Sequence, residues 1–238
     1  MRGTPLPSLA INSLMFRRIV FSAGMAGLLV GLFLTILQSF QVIPLILKAE
    51  AYEIGEAALY YHDPALADSR PEGGWVPQDG WQRTLFTALA NILIAMGFAL
   101  LLGALFSLRP GIDGLKGMAW GLTGYGVFFI LPSLGLPPEI PGTWAAELGE
   151  RQAWWWLTVS CSATGLALLI LQRRWSLRIT GAGLLLLPHL LSAPQPEVVG
   201  GSAPEALADA FIWATAIVNG VFWIALGGLT GFLFKRLA

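Results

Sequence analysis

Apolar and polar positions alternate along this chain on the scale of a bilayer rather than of a helix face. Six apolar runs stand out: residues 19–47, 85–108, 118–136, 154–171, 177–193 and 210–234. An α-helix needs about 20 apolar residues to cross the hydrocarbon core, and several runs reach that length. The pattern predicts an all-α, polytopic integral membrane protein of about six transmembrane helices. The fifth run is barely long enough and contains Pro188 and His189. It is expected either to cross or to enter and return as a re-entrant segment. Residues 1–15 are polar, contain proline and have no periodicity, which predicts a mobile N-terminal tail. A single transmembrane domain is expected over residues 16–238, with a long polar outer loop at 48–84.

Charge gives the expected helices a direction. With the gaps between runs assigned alternately to two sides, one side holds Arg2, Arg17, Arg18, Arg109, Lys116, Arg173, Arg174, Arg178, Lys235 and Arg236. The other side holds only Lys48, Arg70, Arg83 and Arg151. The acids run the opposite way, with Asp113 alone on the basic side. Basic residues flanking membrane spans are retained in the cytoplasm and set orientation. Both termini are therefore expected inside, in the manner of a bacterial inner-membrane protein, with an acidic outer face. The first run, preceded by Arg17 and Arg18, is too long for the core of a secretory signal and reads as a retained span.

Composition narrows the function. Apolar residues make up 55% of the chain and charged residues 12%, against about 25% charged in soluble domains. The net charge is zero, so there is no electrostatic footprint for nucleic acid. Cys161, the one cysteine, excludes an intrachain disulfide and a CxxC metal pair; it reads as a small packing residue. No P-loop, GxSxG or HExxH motif is present, and only two histidines. These absences speak against an enzyme and against an ATP-driven motor, and they imply no permanently bound cofactor.

Three groups of residues remain as candidates for chemistry. In the outer loop, Glu50, Glu53, Glu56, His62 and Asp63 combine carboxylates with one imidazole. Such a ligand set suits divalent first-row cations; an ordinary solvated acidic face is the other reading. Glu50, Glu53 and Glu56 recur at three-residue intervals, so a helix places the first two on one face. His189, beside Pro188, is the second group. A histidine within a span is by default a functional candidate, and proline frees a backbone carbonyl nearby. His189 reads equally as a cation ligand or as an interface residue bonded to a neighbouring helix. The third group is Gln38, Gln41, Asn91 and Asn219. These amides need partners in hydrocarbon, and they either join helices or line a polar path.

Several pieces in order resemble one family. They are Phe16-Arg17-Arg18-Ile19-Val20-Phe21-Ser22-Ala23-Gly24, Glu50-Ala51-Tyr52-Glu53, and Asp79-Gly80-Trp81-Gln82-Arg83-Thr84 followed by Asn91. Leu134-Gly135-Leu136-Pro137-Pro138-Glu139-Ile140-Pro141-Gly142 is the most distinctive; Pro188-His189, Ala193-Pro194, and Asn219 with Phe222-Trp223 complete the series. Together they are similar to CbtA, a family of proposed cobalt transporter subunits associated with vitamin B12 synthesis. The resemblance implies cobalt as the transported cation and a small single-span membrane partner carrying a histidine motif. Members often have a His-rich stretch in the first outer loop; here His62 stands alone beside Asp63, leaving histidines to the partner or favouring another cation.

The expected mechanism is capture at the acidic loop and passage along a polar seam lined by Gln38, Asn91, Asn219 and His189. The Glu139 turn, stiffened by Pro137, Pro138 and Pro141, would shape the outer mouth. The contrasting expectation is a non-transporting accessory subunit of a larger membrane complex, packed through its glycine faces.

Overall fold

The computed structural model of the chain describes residues 13–60, 77, 78 and 80–237. These residues form helices: α1 (Ser13–Gln41), α2 (Ile43–Tyr60), α3 (Trp81–Ser107), α4 (Gly114–Tyr125), α5 (Leu131–Ser133), α6 (Leu148–Leu171), α7 (Trp175–Leu190) and α8 (Glu205–Arg236). A π-helical turn, Gly126–Ile130, joins α4 to α5. Among the described residues the sole β-type pairing is an isolated bridge between Thr143 and Gly201. The all-α expectation holds. Four helices, α1, α3, α6 and α8, are long and apolar enough to cross a membrane.

The exterior differs from that of a soluble bundle. Large apolar side chains such as Leu29, Leu93, Ile94, Trp213 and Ile217 are exposed, while Ser22, Thr158 and Thr230 are fully buried. Between helices in lipid there is no hydrophobic driving force, so association depends on close packing of small residues. That is how this core is made. Gly27 and Gly31 of α1 lie directly against α3: a Cβ on Gly27 would stand 2.6 Å from the Met96 Cα, and one on Gly31 would stand 2.5 Å from the Ile92 Cα. The Gly27/Gly31 pair thus serves internal packing. Helices α4 and α8 approach through Gly117, Gly121, Gly227 and Gly231, with a Cβ on Gly121 only 2.1 Å from the Trp223 carbonyl oxygen. Helices α6 and α7 form a hairpin with a reciprocal close contact of Gly165 and Gly181.

Two features depart from simple rods. The first apolar run, expected as one span to Leu47, is divided: α1 ends at Gln41 and α2 begins at Ile43. Pro44 is the cause. It lacks an N–H, so it is tolerated in the first turn of a new helix but not inside an old one. Helix α2 then continues well beyond the apolar run to Tyr60 and carries Glu50 and Glu53. The second departure is the π turn before Pro132. A proline cannot donate the regular i→i−4 bond, and a widened turn in the preceding segment absorbs the mismatch. It also turns Phe128 to stack on Trp223, with ring centroids 5.6 Å apart and planes at 9°.

Loop carboxylates set two helix starts. Asp113 caps α4 by accepting from the Lys116 N–H at 3.0 Å, and that bond is the main cause holding its carboxyl below the usual range. Glu147 caps α6 through the Gly149 and Glu150 N–H groups, which lower its carboxyl in the same way. A side-chain oxygen in this position satisfies N–H groups that the helix leaves unpaired.

Candidate functional site

Glu50 lies on α2, where the three-residue spacing of acids places it, but its carboxylate is already engaged. Arg83, in the first turn of α3, grips it with two parallel bonds, Nη1–H to Oε2 at 2.9 Å and Nη2–H to Oε1. Both side chains remain about 30% exposed. Bidentate Arg–carboxylate pairs are among the stronger and most directional of side-chain bonds. A cation reaching Glu50 would have to displace Arg83.

Glu53 is exposed one turn further along α2, and its Cβ lies 3.4 Å from where a Cβ on Gly142 would stand. Gly142 has φ of +77°, a conformation that glycine adopts freely. The bridge between Thr143 and Gly201, supported by the Ser202 N–H donating to the Gly142 carbonyl at 3.1 Å, ties the α5–α6 loop to the α7–α8 loop. Ser202 Oγ is buried without a hydrogen-bond partner among the described residues. His62 and Asp63, and the side chain of Glu56, lie outside the described residues. Among those described, no three His, Cys, Asp or Glu side chains come close enough to hold a metal ion.

Glu139 forms a further ion pair, accepting from Nη2 of Arg151 on α6. The pair borders a cleft of about 610 Å³ lined also by Pro137, Pro138, Gln152 and Trp155. Arg151 Nε is buried there with no partner among the described residues.

The intramembrane amides divide. Asn91 of α3 donates through Nδ2 to Gln38 Oε1 at 2.7 Å and to Thr35 Oγ1 at 3.1 Å, both on α1. Thr35 in turn donates to the Gly31 carbonyl at 2.9 Å. This chain of bonds ties α1 to α3 just beyond the glycine contact. It brings Gln38 and Asn91 together and adds Thr35, which a reading of amides alone does not single out. Asn219 instead donates to the Thr215 carbonyl of its own helix at 3.0 Å and does not join the group.

His189 occupies a third place, in the last turn of α7. Its ring meets the Trp154 ring edge-on, with centroids 6.0 Å apart. Trp154 also donates from Nε1 to the Pro188 carbonyl at 3.2 Å, so that oxygen is taken by α6. His189 Nε2 is buried and has no partner among the described residues. A buried polar atom left unpaired is costly, which marks this imidazole apart from the bonded amides.

These groups form no single enclosed site. They comprise two carboxylates ion-paired to arginines, a bonded triad between α1 and α3, and an imidazole between α6 and α7 whose Nε2 has no partner among the described residues. No curated protein and no solved structure matches the chain. A family model described as "Probable cobalt transporter subunit (CbtA)" matches residues 16–235, nearly the whole length. A transporter subunit with four helices able to cross a bilayer is a multi-pass membrane protein. The chain belongs to the CbtA family, whose members are transporter subunits and not enzymes.

Proposed function

We propose that this chain is the membrane subunit of a divalent-cation uptake system of the bacterial inner membrane, with cobalt as its cargo. The family match over residues 16–235 carries the reading. Six segments cross: α1, α3, the α4–α5 rod, α6, α7 and α8, with both ends in the cytoplasm. The charge distribution supports this orientation. Cysteines placed near Glu197 should then react with an impermeant thiol reagent from the periplasmic side, and cysteines at positions 173 and 174 should not. Labelling of the latter from outside would reverse the topology.

Capture begins at the outer loop, where Glu50, Glu53, Glu56, His62 and Asp63 supply oxygen and nitrogen ligands. The Arg83–Glu50 pair supports a counter-charge exchange. Arg83 neutralises Glu50 while the loop is empty, and an arriving cation takes its place. Weak, sequential binding is what transit requires, because an ion held too tightly does not leave. The polar groups Gln38, Thr35 and Asn91, then His189 and Asn219, would supply successive weak contacts, with Glu139 at the mouth. The remaining histidines would come from a small single-span partner. Affinity purification of the tagged chain from its own membranes is the measurement that finds or refutes such a protein.

The direct experiment measures cobalt, nickel and zinc uptake in parallel in cells with the chain deleted and restored. Cobalt accumulation should fall on deletion and return on restoration. At limiting metal, Glu50→Gln combined with Glu53→Gln should lower uptake at equal protein abundance. Unchanged uptake in that variant would assign the outer carboxylates to topology and loop structure alone, leaving transport to other residues.

A further inference from the structure

On the basic side of the protein the start of α1, the end of α3 and the end of α8 converge. Phe106 and Phe234 meet edge-on with centroids 5.9 Å apart. Arg18 is fixed over this junction: its Nε–H donates to the Phe234 carbonyl, and its guanidinium lies 3.8 Å from the centroid of the Phe234 ring. Beside it opens a groove of about 490 Å³. Arg18, Arg109 and Lys235 supply its charge, Met15, Phe106 and Phe234 its apolar wall, and no acid among the described residues lines it. Asp113 lines the adjoining recess with Lys235 and Arg236 and is engaged with the Lys116 N–H. Leu108 is 76% exposed and Phe16 58% exposed at the same level.

We infer that this groove binds the headgroup of an anionic phospholipid, its phosphate on Arg18, Arg109 and Lys235 and its acyl chains along the apolar wall and Leu108. The combination decides the ligand class. Three cations without a lining acid call for an anion, and adjacent exposed apolar side chains at the membrane surface call for one with a hydrocarbon tail. Basic pockets between helix ends are a known form of lipid recognition. Arg18 is suited to the role, because its stacking and its Nε bond fix the guanidinium at the wall of the groove. Arginine presents its donors in a planar fork that fits phosphate oxygens.

The test uses the purified full chain in neutral detergent, titrated with dioleoylphosphatidylglycerol, dioleoylphosphatidylcholine or inorganic phosphate. Unfolding temperature and lipid bound by native mass spectrometry are read together. Phosphatidylglycerol should bind and stabilise more strongly than phosphatidylcholine, and inorganic phosphate should do neither. Arg109→Gln with Lys235→Gln should weaken phosphatidylglycerol binding on the order of tenfold or more, as expected for two basic residues at a lipid surface. Arg173→Gln with Arg174→Gln removes equal charge outside the groove and should leave binding intact. These two pairs avoid Arg18, whose replacement would also disturb the α1–α8 junction. Equal binding of the two lipids would overturn the assignment, as would equal losses in the two double variants, which would mean a diffuse field. Stabilisation by inorganic phosphate alone would overturn it too, by showing an ion site with no lipid component.

Discussion

Gly121→Leu should leave almost no folded protein in the membrane. A Cβ at this position would stand 2.1 Å from the Trp223 carbonyl oxygen and 3.2 Å from the Gly227 Cα. Both atoms are backbone, so no rotamer change relieves the collision, and α4 must separate from α8. Overpacking that side chains can absorb costs about 1–3 kcal/mol; a whole leucine against backbone exceeds that range. Separation would also unstack Phe128 from Trp223 and break the Tyr125 bond to the Ala216 carbonyl at 2.8 Å. Gly24→Leu is the matched control, since nothing lies within 4 Å of a Cβ there. Size-exclusion profiles and thermal midpoints of detergent-extracted protein measure the contrast. Equal recovery of the two variants would refute the packing of α4 on α8.

His189→Ala should produce the opposite phenotype: a protein that inserts normally and transports little. An imidazole serving as helix glue would lose an interhelical bond on truncation, on the order of 0.6–2 kcal/mol. Here Nε2 has no partner among the described residues to lose. What is removed is the edge-on contact with Trp154, about 0.5–1.5 kcal/mol for an aromatic pair. The Trp154 bond to the Pro188 carbonyl uses backbone and persists. Cobalt uptake per inserted molecule should fall close to that of cells lacking the chain, and His189→Gln, which keeps an oxygen ligand, should retain part of it. Wild-type uptake per molecule in His189→Ala would remove His189 from the transport path.

Much of this molecule is legible in its order of residues. Long apolar runs and segregated charge are direct demands of a bilayer, and they act on every residue near a span. Helical content and the small-residue contacts of Gly27 and Gly31 follow from that. Pairings across the chain are not legible. Glu50 and Arg83 are 33 positions apart, and no local periodicity assigns a carboxylate to a particular guanidinium. The division at Val42 has a signal in Pro44, but a proline near the end of a long apolar run reads equally as a span boundary. Thr35 gives no such signal by itself, because a hydroxyl in a helix ordinarily bonds its own preceding turn, as this one does. The stripe Gly31, Thr35, Gln38, at four- and three-residue steps, is the available clue that the same face reaches Asn91.

The shortness of α7 has a consequence for the surrounding lipid. Its 16 residues rise about 24 Å, several ångströms less than a typical hydrocarbon core of about 30 Å. Among the helices it packs on α6, and in the six-span arrangement proposed above its other flank would face the acyl chains. In that arrangement lipid along the flank would shorten to match it, at a cost of fractions of a kcal/mol per ångström. The bilayer would then thin along the α6–α7 edge. His189, in the last turn of α7, would then lie where the hydrocarbon barrier to a charged species is reduced.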